Sequence, residues 1–167
     1  WDQVIALWTE LAAYAQEHGV RRICFELHPV NLVYNVPTLL RLREAVGESI
    51  GANFDPSHLM WQGMDVPACV RALGPAIFHV HIKDVAMHRH NQALVGVIDN
   101  RPDVTVRERP WYFCTPGYGH DARWWREFFV ALQDIGYDDV VSIENEDPYL
   151  PGIAGVERTV AFLRELI

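Results

Sequence analysis

The stretch FHVHIKD, residues 78–84, decides the fold, because its two faces differ in kind. Phe78, Val80 and Ile82 make one alternating face purely apolar, while His79, His81 and Lys83 make the other polar. Two is the period of a β-strand, so each set shares one side of a sheet. Three more segments repeat the pattern: CFELHP (24–29), NFDPSH (53–58) and VVSIENE (140–146). Their apolar faces are Ile23, Phe25 and Leu27; Ala52 and Phe54; Val141 and Ile143. Their polar faces are Glu26 and His28; Asn53 and Asp55; Ser142, Glu144 and Glu146. Each of the four strands ends in a metal-type ligand: Glu26, Asp55, His81 or Glu144. Parallel strands sandwiched between helices are apolar on both sides. These are not, so one face is expected to look into a barrel interior with a polar, functional mouth.

The segments between the strands read as helices. Residues 2–18 carry Val4, Trp8, Leu11 and Ala15 on one face, with Gly19 as a stop. Pro37 opens a second helix that runs to Gly47, and Asp65 with Pro67 opens a third that ends at Gly74. Asp121 caps a helix with Trp125, Phe128, Phe129 and Leu132 inward. A closing helix is expected from about 153 to 166, and the strands at 22–27, 50–55, 76–83 and 139–144. Residues 85–120, with three prolines and two glycines near their end, are expected to be a long irregular loop of functional or mobile character. Strand–helix alternation of this kind implies a parallel sheet with right-handed crossovers. In a (β/α)8 barrel the functional groups sit at the C-terminal ends of the strands, and such a barrel needs about 250 residues. The expected fold class is therefore α/β: the C-terminal half of a (β/α)8 TIM barrel, about four parallel strands with surrounding helices, in a single domain over 1–167.

Composition narrows the function. With 50% hydrophobic and 22% charged residues, the chain can bury a core and is not disordered. A net charge of −8 opposes binding to nucleic acid, which needs clustered lysine and arginine. No apolar run reaches the length of a membrane span, and the start, WDQVIALW, has no basic region of a signal peptide. Cys24, Cys69 and Cys114 lack CxxC spacing, so free thiols in a reducing cytoplasm are expected.

Two glutamates, one aspartate and one histidine offer oxygen and nitrogen donors without thiolate. That mixture suits a divalent metal ion, Mn²⁺ first, with Mg²⁺, Co²⁺ or Zn²⁺ as alternatives. A metal held this way can chelate a hydroxyl and its neighbouring carbonyl, acidify the carbon-bound proton and stabilise the enediolate. A glutamate with a free oxygen can serve as the base.

FELHPVNLVYN (25–35), GANFDPSHLMWQGMD (51–65), FHVHIKD, the PGYG of 116–119 and SIENEDP (142–148) resemble the sugar phosphate isomerase/epimerase family, the xylose-isomerase-like TIM barrels. The resemblance covers essentially the whole chain. It implies a divalent metal held by Glu26, Asp55, His81 and Glu144, with Glu26 and Glu144 also acting as the acid/base pair. It further implies that His58 contacts substrate or orients a ligand, and that the PGYG loop lies near the substrate. The chain departs from the pattern where ketose epimerases carry an arginine a few residues after the metal histidine. Here the nearest is Arg89, eight residues on, and it is the candidate for that place.

His28 and His58 are each open to two readings, pocket contact or orientation of a ligand. Lys83 either binds a substrate oxygen or forms an ion pair inside the barrel. His79 reads as a hydrogen-bonded structural histidine, Glu146 and Asp147 as rim residues, His88, Arg89 and His90 as a polar loop cluster, and Trp124 and Trp125 as helix packing. The leading function is a metal-dependent isomerase or epimerase of a sugar or sugar phosphate, expected as a homo-oligomer. The rivals are a lyase of a keto-sugar or keto-inositol, an inactive half barrel, and an apurinic-site endonuclease. The last would need an Asp-x-His pair after the metal histidine, and the chain has none.

Overall fold

The computed structural model describes residues 1–166. Its main sheet contains β1 (Ile23–Glu26), β2 (Ile50–Phe54), β3 (Ile77–Ile82) and β6 (Val141–Ile143), in the order β1-β2-β3-β6. All three pairings are parallel, with Cys24 opposite Gly51, Phe54 opposite Val80, and His81 opposite Ser142. Helices α1 (Asp2–Glu17), α2 (Val36–Val46), α4 (Val66–Leu73), α6 (Ala122–Asp134) and α7 (Ile153–Leu163) fill the intervals. This is the α/β, TIM-barrel-like arrangement expected, with the strand ends one or two residues shorter.

Local chemistry fixes the helix starts. Asn35 and Thr38 form a reciprocal capping box ahead of α2. The Asp65 and Asp121 carboxylates accept from Ala68 N (3.0 Å) and Trp124 N (2.9 Å), satisfying amides that a first helical turn leaves free. The core lies between sheet and helices. Ile50, Ala52, Phe54, Val80 and Ile82 meet Leu39, Leu42, Val70, Trp125 and Phe128, all fully buried. Each large side chain there contributes about 1.5–3 kcal/mol by leaving water. At Gly51 any Cβ would stand 2.4 Å from the Phe78 ring, so only glycine lets that ring lie against β2.

The opposite face is concave. The sheet curls until Arg22, just before β1, pairs with Asp139, just before β6, at 3.1 Å. Among the described residues β1 and β6 have no ladder partner on their outer sides.

The long stretch after β3 differs from the expectation. It is not wholly irregular: β4 (Asp84–Met87) and β5 (Trp111–Cys114) form an antiparallel ribbon, and α5 (Arg89–Val95) lies between them. The aromatic run WYFC has strand propensity, but its partner lies far upstream and no local period announces it. A short helix, α3 (Pro56–Met60), follows β2 directly. Asp147 is not an exposed rim group; it is 6% exposed and accepts hydrogen bonds from Thr115 N and Oγ1 (both 2.8 Å), Tyr149 N (2.8 Å) and Leu150 N (3.1 Å).

Candidate metal centre

Glu26 closes β1, Asp55 and Glu144 stand one residue beyond β2 and β6, and His81 lies near the end of β3. Parallel strands put all four at one end of the sheet, and its curl brings them together. One ligand atom from each lies within 4.8 Å of every other. Asp55 is held by its backbone as well, since its Oδ1 caps α3 by accepting from Ser57 N at 2.9 Å.

Three basic groups surround this acidic cluster. His58 Nε2 is 2.8 Å from Glu26 Oε1 and 3.6 Å from Asp55 Oδ2. The hydrogen bond from His58 holds the Glu26 carboxyl below its ordinary range, against the opposing effect of burial. The His28 ring packs at a tilt of 52° against His58 with centroids 4.3 Å apart, and its Nδ1 lies 2.7 Å from Pro29 O. Lys83, 2% exposed, hydrogen-bonds Glu144 Oε2 and lies 2.9 Å from Asp55 Oδ2 as an ion pair. Burial pulls the Lys83 ammonium down, but Asp55 and Glu144 more than offset it and the net shift is upward. Lys83 thus lies among the carboxylates in an ion pair. Arg89 is exposed at the start of α5, beside a hollow lined by Trp61 and Met87, and does not join the cluster.

The donor set passes an independent test of fit for a divalent ion. His81 Nδ1 is buried, has no hydrogen-bond partner and faces the cluster, 3.5 Å from Glu144 Oε2. A polar atom buried without a partner is costly unless an ion or ligand completes it.

Phe113 lies outside the sequence motifs, while Asp84 and Asn53 lie within them and take parts the motifs do not indicate. Phe113 of β5 packs edge-on against His58 (5.4 Å) and beneath the Lys83 ammonium (4.5 Å), so the ribbon roofs one side of the site. Asp84, fully buried, accepts from the amides of Gly117, Gly119 and His120 and from His120 Nδ1 at 2.7 Å, fastening the PGYG loop beside β4. A Cβ on Gly119 would stand 2.1 Å from Val85 O, which explains the glycine. Asn53 faces His81 from β2. His79 hydrogen-bonds Ser142 one layer below.

A parallel sheet with Glu26, Asp55, His81 and Glu144 gathered at its C-terminal edge is a TIM-barrel-like arrangement. Residues 1–166 match the family described as xylose isomerase-like TIM barrel, and the chain belongs to that family. It is 40% identical over its full length to the uncharacterized protein YfiH of Bacillus subtilis (strain 168), covering 54% of that protein. It is 30% identical over 81% of its length to an inosose isomerase of Bacillus velezensis, covering 43% of it. The chain thus spans about half the length of the curated relatives it matches. Among solved structures, a xylose isomerase domain protein from Planctomyces limnophilus superposes with a TM-score of 0.70 at 19% identity, over 99% of this chain and 55% of that one. An L-ribulose 3-epimerase gives 0.63 at 21% identity, over 96% and 46%. No helix among the described residues is long and apolar enough to cross a membrane.

Proposed function

We propose that the chain carries the metal centre of a divalent-metal-dependent isomerase or epimerase, acting on a sugar, sugar phosphate or related cyclic polyol ketone. The observation that supports this most is the convergence of Glu26, Asp55, His81 and Glu144 within 4.8 Å from four successive strand ends. The inosose isomerase relative agrees with a keto-polyol substrate.

A bound divalent ion would polarise a carbonyl and acidify the neighbouring C–H, favouring an enediolate. The rest falls to this chain's side chains. Glu26 and Glu144 approach from the two outer strands, so they can address opposite faces of a substrate carbon lying across the cluster. Glu26, whose proton affinity His58 lowers, is ionised near neutral pH and able to accept a proton at a carboxylate oxygen. Glu144, when protonated, returns its own proton on the other face; the carboxylate this leaves is stabilised by its hydrogen bond from Lys83, and both glutamates then exchange protons with solvent. Phe113 shields Lys83 and His58 from water on the ribbon side.

Incubation with Mn²⁺, D₂O and a panel of ketoses and keto-inositols tests the reading. Deuterium entering at the carbon next to the carbonyl, with no loss of water from the substrate, is expected. Loss of water would favour a lyase, and no exchange with any member of the panel would reject proton-transfer chemistry.

A further inference from the structure

Asn53 has no part in the donor set, yet its side chain decides whether His81 can belong to it. Neutral imidazole has one N–H and one lone pair, on different nitrogens. In His81 the two nitrogens face different surroundings. Nδ1 is turned toward the cluster, 3.5 Å from Glu144 Oε2, and has no hydrogen-bond partner. Nε2 lies 3.4 Å from Asn53 Nδ2. To offer Nδ1 as a ligand atom, His81 must carry its proton on Nε2 and needs an acceptor there. The two ends of an amide exchange places by a half turn about its last torsion, so Oδ1 can face the ring instead. With Oδ1 toward the ring, Asn53 accepts Nε2–H, and Asn53 Oδ1, buried without a partner, gains a donor. With Nδ2 toward the ring the proton is forced onto Nδ1, and the lone pair points away from Glu144.

We infer that Asn53 is a positioning residue: its side-chain oxygen holds His81 as the Nε2–H tautomer, presenting the Nδ1 lone pair to a divalent cation. The setting favours this role. Asn53 lies on β2 two residues before Asp55, so one stretch of chain carries both a candidate donor and the group that orients its neighbour. β2 is bonded on both sides, by β1 and β3, so its carbonyls and amides fix Asn53 relative to His81. Outer groups that orient a ligating histidine typically change metal affinity by about 10–100-fold.

The inference rests on the proposed metal centre, but its first test uses neither metal nor substrate and so fails or succeeds apart from the enzymatic reading. Long-range ¹H–¹⁵N correlation on the metal-free, ¹⁵N-histidine-labelled protein reads each ring nitrogen of His81 directly. The expected wild-type pattern is a protonated Nε2 and a bare Nδ1. Asn53→Ala should mix the two tautomers and weaken Mn²⁺ binding, read by calorimetry, about tenfold or more. Asn53→Asp, which keeps an acceptor in place, should restore the Nε2–H pattern. A proton on Nδ1 in the wild-type protein would overturn the inference outright, even if no variant folds. So would an Ala variant with unchanged tautomer and unchanged Mn²⁺ affinity.

Discussion

His58 Nε2 lies 2.8 Å from Glu26 Oε1, so an imidazole rooted in α3 governs a carboxylate at the end of β1. The contact joins the ends of the adjacent strands β1 and β2, and its histidine is shielded from water: His58 is 2% exposed and Phe113 covers its edge. His58→Gln keeps a polar side chain but loses the ring's reach and its tilted contact with His28. We expect Mn²⁺ affinity to fall about tenfold and proton exchange to fall further, while far-UV circular dichroism stays near wild type. Equal exchange rates for variant and parent would remove His58 from the site.

Asp55→Asn and His81→Ala separate ligation from folding. Asparagine is as good an N-cap as aspartate, so Asn at position 55 can still accept from Ser57 N and preserve α3. Each variant should bind Mn²⁺ at least about tenfold more weakly, with helix content unchanged. Titration calorimetry showing parental affinity in both would mean that the four side chains do not form a metal centre.

Much of this arrangement was legible in the sequence. Period two separated the faces of β1, β2, β3 and β6, and it put Glu26, Asp55, His81 and Glu144 on the polar side near the strand ends. The β4–β5 ribbon was not legible, because DVAM and WYFC pair across a long interval and strand pairing is a non-local property. Phe113 went unnoticed with it. Asn53 was visible on the polar face, but its turn toward His81 depends on the register between β2 and β3, including the bulge at Ala52/Asn53. Asp147 looked like a rim acid because the loop amides that bury it are set only by tertiary packing.

Glu144→Gln tests the division between ligation and proton transfer. The amide oxygen can still approach a cation, but neutral glutamine neither accepts a proton at useful pH nor forms an ion pair with Lys83. We expect measurable, weaker Mn²⁺ binding together with loss of substrate C–H exchange by at least about 100-fold, within the usual worth of a positioned acid or base. Exchange within a few-fold of the parent would move the base role to Glu26 alone.

Acid stability should depend on Asp147. Burial raises its proton affinity, but the hydrogen bonds from Thr115, Tyr149 and Leu150 outweigh that and leave its pKa below the ordinary 3.8. A carboxylate with a depressed folded-state pKa contributes stability that is present above the unfolded value and is lost as pH falls through the folded one. Asp147→Asn should therefore lower the unfolding midpoint at pH 7 and flatten its decline below about pH 3.8. Parallel melting curves for the two proteins across that range would contradict this assignment.

The edges of the sheet lead to a prediction about assembly. Strand β1 pairs with β2 and β6 with β3, and among the described residues neither outer edge has a ladder partner. The Arg22–Asp139 ion pair links the starts of these edges, but both side chains are about half exposed, and such a pair contributes about 0–1 kcal/mol. Unpaired backbone donors and acceptors recruit further strands, and a closed two-fold pair is the commonest way for one chain to satisfy another. The 167-residue chain should therefore sediment as a dimer or larger species at micromolar concentration. Dissociation on dilution should be accompanied by loss of cooperative unfolding, because the concave polar face would then stand open to water. A folded monomer that melts cooperatively would refute the prediction, and would show that the edges of β1 and β6 are protected within a single chain.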